Sequence, residues 1–413
     1  MKKTTLKNYA RLIAQKGVNI QKGQDVIIFC ELDQPEFIKT LVRECYELGA
    51  RKVSVEWSYQ PLEKLHYRYR TLKTLSTLEE WEKAKWQHRA ESLPCRIILL
   101  SEDPDGLAGI NQHKMATSKQ RLFPIIKPYR DAMENRHQWC IAGVPGKAWA
   151  KKLFPELHPG KAVEMLWHKI LLTSRVIDED GNDLDPMAEW DAHNADLSAR
   201  CDYLNSLGID SLHYTASNGT DFTVWMIPDG RFTGGIEKTL QGNVFNPNIP
   251  TEECFISPMR GRTEGIVYST KPLSYEGQLI EDFNIRFHEG KAVEWHAAKG
   301  EKLLGRLIGM DEGSAYLGEC ALVPYSSPIN RSGLLFCNTL YDENAVCHLA
   351  LGMGFPETIK DFEKYTLDEC REKGINDSVI HEDFMSGTPD LNITATTRDG
   401  KTVQIFKDGE WAF

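Results

Sequence analysis

The sequence predicts an α/β N-terminal domain with a parallel sheet, followed by a mainly antiparallel β (α+β) C-terminal domain. Three observations carry this expectation. The 413 residues exceed what one ordinary hydrophobic core organises. Before about residue 206, short apolar runs alternate with helical stretches at βαβ spacing. From Ile209 onward, short alternating runs separated by Gly and Asn-Gly signals take over. The expected domains are therefore 1–206, closing with a helical bridge, and 207–413.

Taken in order, residues 5–18 carry Leu6, Tyr9, Leu12 and Ile13 at helical spacing, and the turn signal Gln21-Lys-Gly-Gln24 follows. Asp25–Cys30 is a β-branched apolar run suited to a strand buried on both faces. Asp33-Gln-Pro35 then offers a helix start, and Phe37, Ile38, Leu41, Val42, Cys45 and Leu48 form one stripe that ends at Gly49. Lys52–Trp57 reads as the next strand. The pattern recurs with strands at Cys95–Leu100 and Gln138–Ala142 around a helix from Met115 to Met133, and 147–206 reads as helical. In the second half, strands are expected at Ser211–Thr215, Asp221–Trp225, Gly265–Ser269 and Phe283–Phe287. Leu391–Ala395 and Thr402–Phe406 flank Arg398-Asp-Gly-Lys401 as a hairpin.

Composition excludes several classes. A formal net charge of -10 without a basic cluster argues against nucleic acid as the main partner. No GxGxxG or GxxxxGK[ST] run is present, so dinucleotide and P-loop nucleotide binding are unsupported. No apolar run reaches the length of a membrane span, and Lys7, Arg11, Gln15 and Lys16 interrupt what a signal peptide would need. The ten cysteines show no CxxC spacing and several lie in apolar runs, which reads as buried thiols in a reducing cytosol. A cytoplasmic location is expected.

The chemistry lies in the second half. His381 and Asp383 are two residues apart on a segment that reads as extended, so an imidazole and a carboxylate face the same side. Glu252-Glu253 follows the proline-stiffened segment Asn246–Pro250, and adjacent buried carboxylates need a positive neighbour. Glu319 leads into the apolar Cys320–Val323, where a charge needs a partner. His348 falls in Asp342–Leu351, which reads as a helix; a single histidine there is more often a satisfied core residue than a ligand. A common metal site explains all these polar groups in apolar settings at once. Two imidazoles and three carboxylates exceed one tetrahedral zinc and suit two divalent ions sharing a carboxylate, with Zn, Co or Mn favoured over soft copper or a calcium cage. On the residues alone, the expectation is a dinuclear hydrolase of unspecified substrate.

Several runs then resemble one family: Pro250-Thr-Glu-Glu-Cys-Phe255, Ser269-Thr-Lys-Pro-Leu-Ser-Tyr275, Leu317-Gly-Glu-Cys-Ala-Leu-Val-Pro324, Ser327-Pro-Ile329, Phe336–Asn344 and His381-x-Asp-Phe-Met385. Together with Tyr9-Ala-Arg-Leu12 and Gly17-Val-Asn19, they make the chain similar over nearly its whole length to the M29 metalloaminopeptidases of the aminopeptidase T and PepS type. The resemblance implies a homodimeric exopeptidase that removes N-terminal residues from peptides at an internal site. It also implies two metal ions held by Glu253, Glu319, His348, His381 and Asp383, with Glu319 as the expected bridge. Water activated between two cations would be the nucleophile. Glu252, tethered beside a ligand, is the expected general base.

One departure stands out. Where the family has a tyrosine before the proline of a Gly-x-Ala-Tyr-Pro run, this chain has Phe355 in Gly352-Met-Gly-Phe-Pro356. The lost hydroxyl could bind metal or donate to a developing oxyanion. Slow turnover, an altered substrate, or replacement by Tyr325, Tyr341 or water are the expected consequences. Two other readings remain open: a mononuclear iron ring-cleaving dioxygenase using His348, His381 and Asp383 alone, and a peptide-binding homodimer with weakened catalysis.

Overall fold

The computed structural model describes residues 1–413, which divide into two compact units: Met1–Asn194 with Ile236–Pro250, and Ala195–Gly235 with Thr251–Phe413. The change of unit falls within helix Pro186–Ser206, ahead of the change in sequence texture at Ile209. A local rule reads where strands begin. It does not reveal that 236–250 returns to the first unit.

In the first unit, strands β1 (Asp25–Glu31), β2 (Lys52–Ser58), β3 (Cys95–Leu100) and β4 (Trp139–Gly143) form a parallel sheet in the order β2-β1-β3-β4, and the short strand Asn248–Ile249 extends it beyond β4. Helix α1 (Lys3–Leu12) passes into a π-helical turn at Ile13–Gly17. Helix α2 (Pro35–Glu47) opens on Pro35, whose fixed φ suits the first helical position. It ends in a Schellman arrangement: Ala50 N–H donates to Cys45 O and Gly49 N–H to Tyr46 O, with Gly49 at φ +99°. Its apolar stripe buries Phe37, Ile38, Leu41 and Cys45. Phe37 meets Tyr9 and Trp167 with ring centroids 5.6 and 5.3 Å away, and the Tyr9 hydroxyl donates to Gly143 O at the end of β4. Helix α3 (Gln112–Met133) links β3 to β4.

The second unit is built on two antiparallel sheets. The larger has nine strands, with Asp221–Met226, Ile209–Thr215 and Asn392–Thr397 adjacent near its middle, Pro258–Tyr268 and Gln278–His288 to one side, and the hairpin Asn392–Thr397/Thr402–Lys407 to the other. The smaller has four strands: β5 (Cys254–Ile256), β6 (Leu317–Leu322), β7 (His348–Gly352) and β8 (His381–Met385), in the order β5-β6-β7-β8.

Side chains of this small sheet sort by the two-residue period. Cys254, Ile256, Cys320, Leu322, Leu349, Leu351 and Phe384 share one apolar cluster with residues of the large sheet. The Phe283 and Phe384 rings lie 5.7 Å apart, and the Tyr214 hydroxyl lies 2.7 Å from Cys320 Sγ. The α/β first half and antiparallel second half are as expected, but His348 is not on a helix. The only helix in that stretch is α4 (Thr339–Glu343), and His348–Gly352 is a central strand buried on both faces. A strand buried on both sides shows no polar alternation, so its apolar run cannot be told from a helix by period alone. All ten cysteines are free, and nine of them are buried. No helix is long and apolar enough to cross a membrane.

Candidate metal centre

The second face of the small sheet carries the polar residues. Antiparallel partners lie side by side on one face, so the register places Glu319, Ala350 and Asp383 in a row, with Ala321, His348 and Met385 in the next. His381 stands opposite Gly352 at the end of the sheet. Ala350, with its short side chain, lies between the two carboxylates in that row. Three of the five ligand candidates adjoin a cysteine in the chain: Glu253-Cys254, Glu319-Cys320 and Cys347-His348. All three cysteines belong to the apolar cluster with the large sheet. Burial pushes the Cys320 thiol up to about 12, and its side chain lies in the apolar cluster rather than with the polar residues.

Glu319 owes its orientation to a bulge. Leu317 pairs with Leu351 and Glu319 with Ala350, so two steps along β6 match one along β7. Leu317 therefore packs in the apolar cluster, whereas Glu319 and Ala321 face the other side. Gly318 occupies the bulge, where a Cβ would come within 2.2 Å of Met353 O. The five expected ligands thus converge from separate elements: Glu253 from the loop before β5, Glu319 from β6, His348 from β7, and His381 and Asp383 from β8.

Their contacts form two triads, Glu253–Glu319–His348 and Glu319–His381–Asp383, each with ligand atoms within 4.8 Å of one another and with Glu319 common to both. Both imidazoles have the same orientation. His348 Nε2 lies 3.1 Å from Glu253 and its Nδ1 3.3 Å from Val346 O. His381 Nε2 lies 3.0 Å from Glu319 and 3.4 Å from Asp383, while its Nδ1 lies 2.7 Å from Met353 O. A main-chain carbonyl on Nδ1 selects the tautomer that keeps Nε2 for a cation. The donor set of two imidazole nitrogens and three carboxylates, with no thiol, fits borderline divalent ions.

Burial and proximity set the protonation of this cluster. Burial, with the Glu253 and Asp383 charges adding to it, raises Glu319 to about 7 against the pull of His381. Burial opposes the charged form of His348, but Glu253 beside it outweighs this and holds the imidazole up to about 9. His381 is likewise held well above its ordinary value by Asp383 and Glu319 in spite of burial. Asp383 is buried yet held down, chiefly by His381.

Glu343, which the sequence reasoning did not single out as a site residue, belongs to the same cluster. It is buried at the end of α4, and burial together with the Asp383, Glu253 and Glu319 charges drives its carboxyl well above the usual range. In that neutral form it hydrogen-bonds to Asp383. Asn344 donates to Glu343 Oε1 at 3.2 Å and accepts the Glu252 N–H at 2.7 Å. The Asp342-Glu-Asn344 run was the available signal, but nothing local told a buried acid from a helix-end one. Glu252 is buried beside the cluster but belongs to neither triad. Phe355 is at the site, its ring centroid 4.7 Å from that of His381 and 5.6 Å from that of Phe255. Tyr325 lies on an exposed pocket, and Tyr341 is fully buried against Phe336.

These protonation states predict a pH dependence. His348 has a folded value of about 9 against an ordinary ~6.5, so its contribution to stability is complete below ~6.5 and lost as pH rises through 9. Glu319, raised to about 7, loses its contribution as pH rises through 7. Cations compete with these protons, so ligand stabilisation grows with pH. Melting chelator-treated protein with and without Mn(II) between pH 6 and 8.5 checks this. The Tm increment from metal should widen with pH, and an increment that narrows contradicts the assignment.

Comparison with known proteins places this arrangement in context. A profile described as thermophilic metalloprotease (M29) matches residues 2–411. Aminopeptidase AmpS of Bacillus subtilis is 37% identical over 409 residues, covering 99% of this chain and 98% of that protein. Aminopeptidase PepS of Streptococcus thermophilus is 36% identical over 411 residues, with 99% and 98% covered. The solved structure of wild-type AmpT from Thermus thermophilus superposes with a TM-score of 0.88 at 32% identity over the whole of both chains. The chain belongs to the M29 family of metallopeptidases.

Proposed function

We propose that this protein is a metal-dependent aminopeptidase that releases N-terminal residues from peptides with two divalent ions, zinc, cobalt or manganese, sharing Glu319. The observation that carries the dinuclear reading is the pair of triads joined at Glu319, each served by an imidazole whose Nδ1 is fixed by the main chain. Glu253 and His348 would hold one ion, His381 and Asp383 the other. When bound, such ions supply a water nucleophile at neutral pH and polarise the scissile carbonyl.

The chain's own residues manage protons and access. Glu343, neutral and hydrogen-bonded to Asp383 when no cation is bound, would lose that proton to solvent once cations offset the surrounding negative charge, and as a carboxylate would take the proton of the attacking water and return it to the leaving amine. Glu252 remains the second acid in reach of that role, tied to Glu343 through Asn344. The Phe355 ring closes the site beside His381 and keeps water away without contributing a donor.

A single-iron dioxygenase would need only His348, His381 and Asp383, and would leave Glu253 and Glu319 as buried acids without a task. Association into a homodimer is part of the reading. Leu62, Leu65 and Tyr69 are exposed on a helix, Gln60–Tyr69, that buries none of its residues, with Trp57 and Tyr59 exposed just before it. The free thiols suit a cytoplasmic location.

Turnover of a panel of aminoacyl reporters, with chelator and with Zn, Co or Mn restored, tests the activity, and metal analysis should return two ions per chain. One iron per chain with oxygen uptake would overturn it. Glu343→Gln should lower kcat by roughly a hundredfold with both ions still bound, and Glu252→Gln by less; the reverse order would give the base role to Glu252. Phe355→Tyr should raise kcat by about tenfold or more, and no gain would show that a phenol hydroxyl is not what limits this protein.

A further inference from the structure

The run Ser269–Tyr275 takes no part in the metal centre, yet it lies along it. β8 is the outer strand of the small sheet, and its free edge is met by Thr270, whose N–H donates to Met385 O at 2.8 Å. Two residue steps along the strand separate Met385 from Asp383. With ~3.3 Å per residue and ~4.8 Å between neighbouring strands, the Lys271 backbone stands roughly 8–12 Å from that of Asp383. An extended tripeptide spans up to ~10 Å.

Lys271 is half-buried, and its ammonium bonds the neutral Asn330 Oδ1 at 2.9 Å rather than a carboxylate. Nearby acids are otherwise engaged. Asp342 accepts the main-chain N–H groups of Phe336 and Asn338 at 2.7 and 3.0 Å, and Glu410 accepts the N–H and hydroxyl of Ser326, both at 2.8 Å. Asp342 attracts the ammonium from a distance, but the direct hydrogen bond is to a neutral amide, so a carboxylate at contact distance would be favoured further. It also lines a pocket of about 570 Å³ together with Tyr325, Arg331, Leu334 and Leu335.

We propose that Lys271, held by Asn330 at the edge of β8, anchors the C-terminal carboxylate of a short peptide whose N-terminal residue lies on the metal face. This rests on the peptidase reading above. It makes the protein selective for di- to tetrapeptides with a free C-terminus, with the apolar pocket wall beside Lys271 accepting the last side chain. The substrate's carboxylate supplies the charge that Asn330 lacks, and a charge-assisted bond in a partly buried site discriminates acid from amide by roughly tenfold or more.

The test compares one tripeptide as free acid and as C-terminal amide, alongside an aminoacyl reporter that has no C-terminal carboxylate, on the metal-restored protein. Wild type should favour the acid over the amide in kcat/KM by about tenfold, expressed in KM. Lys271→Gln should bring that ratio toward one, Lys271→Arg should keep it, and Asn330→Asp, which gives the lysine an internal carboxylate while altering shape little, should lower it. A wild-type ratio near one, or a ratio unchanged in both Lys271→Gln and Asn330→Asp, overturns the proposal while reporter turnover leaves the peptidase reading standing. Absence of turnover on all three substrates overturns both.

Discussion

The second unit depends on the alternation of side chains across one four-stranded sheet. Cys254, Ile256, Leu317, Cys320, Leu322, Leu349, Leu351 and Phe384 enter an apolar cluster shared with the large sheet, and Glu319, His348 and Asp383 lie on the other face beside Ala321, Ala350 and Met385. A one-residue slip in register would send Glu319 or Asp383 into hydrocarbon and Cys320 or Phe384 onto the polar face. The core therefore fixes the candidate metal centre: the burial that stabilises the unit also holds the candidate ligands in register.

Grouping this many ionisable groups out of water is costly, and the structure offsets the cost by pairing them. His348 with Glu253 and His381 with Asp383 form buried ion pairs, while Glu319, hydrogen-bonded to His381, and Glu343 are pushed toward their neutral forms. Removing one member of such a cluster leaves its partner uncompensated and destabilises the unit. Divalent cations replace the protons that hold the cluster together in their absence, so metal affinity, stability and pH are linked quantities in this unit.

Around this centre the departures from a generic hydrolase site become readable. Phe355 sets an aromatic ring 4.7 Å from that of His381 and brings no hydroxyl to that side of the cluster. Asn344 ties the Glu252 main chain to the Glu343 side chain, so the two acids able to carry a proton are positioned by one amide. On the outer edge of β8, Lys271 extends the site from the reacting bond toward the far end of a short peptide.

The sequence by itself determined the βαβ texture of the first half, the antiparallel texture of the second, and the identity of the five ligand candidates. Each of these is written locally: strand runs, a helix stripe ended by Gly49, a His-x-Asp pair on one face, acids leading into apolar runs. The tertiary structure decided what has no local signature. It made His348–Gly352 a central strand, where burial on both faces removes the alternation that would have announced it. It returned 236–250 to the first unit, turned Glu319 across the sheet by a bulge at Gly318, and brought Glu343 onto Asp383. These depend on which distant segments pair, and pairing is set by the free energy of the whole core rather than by any window of the chain.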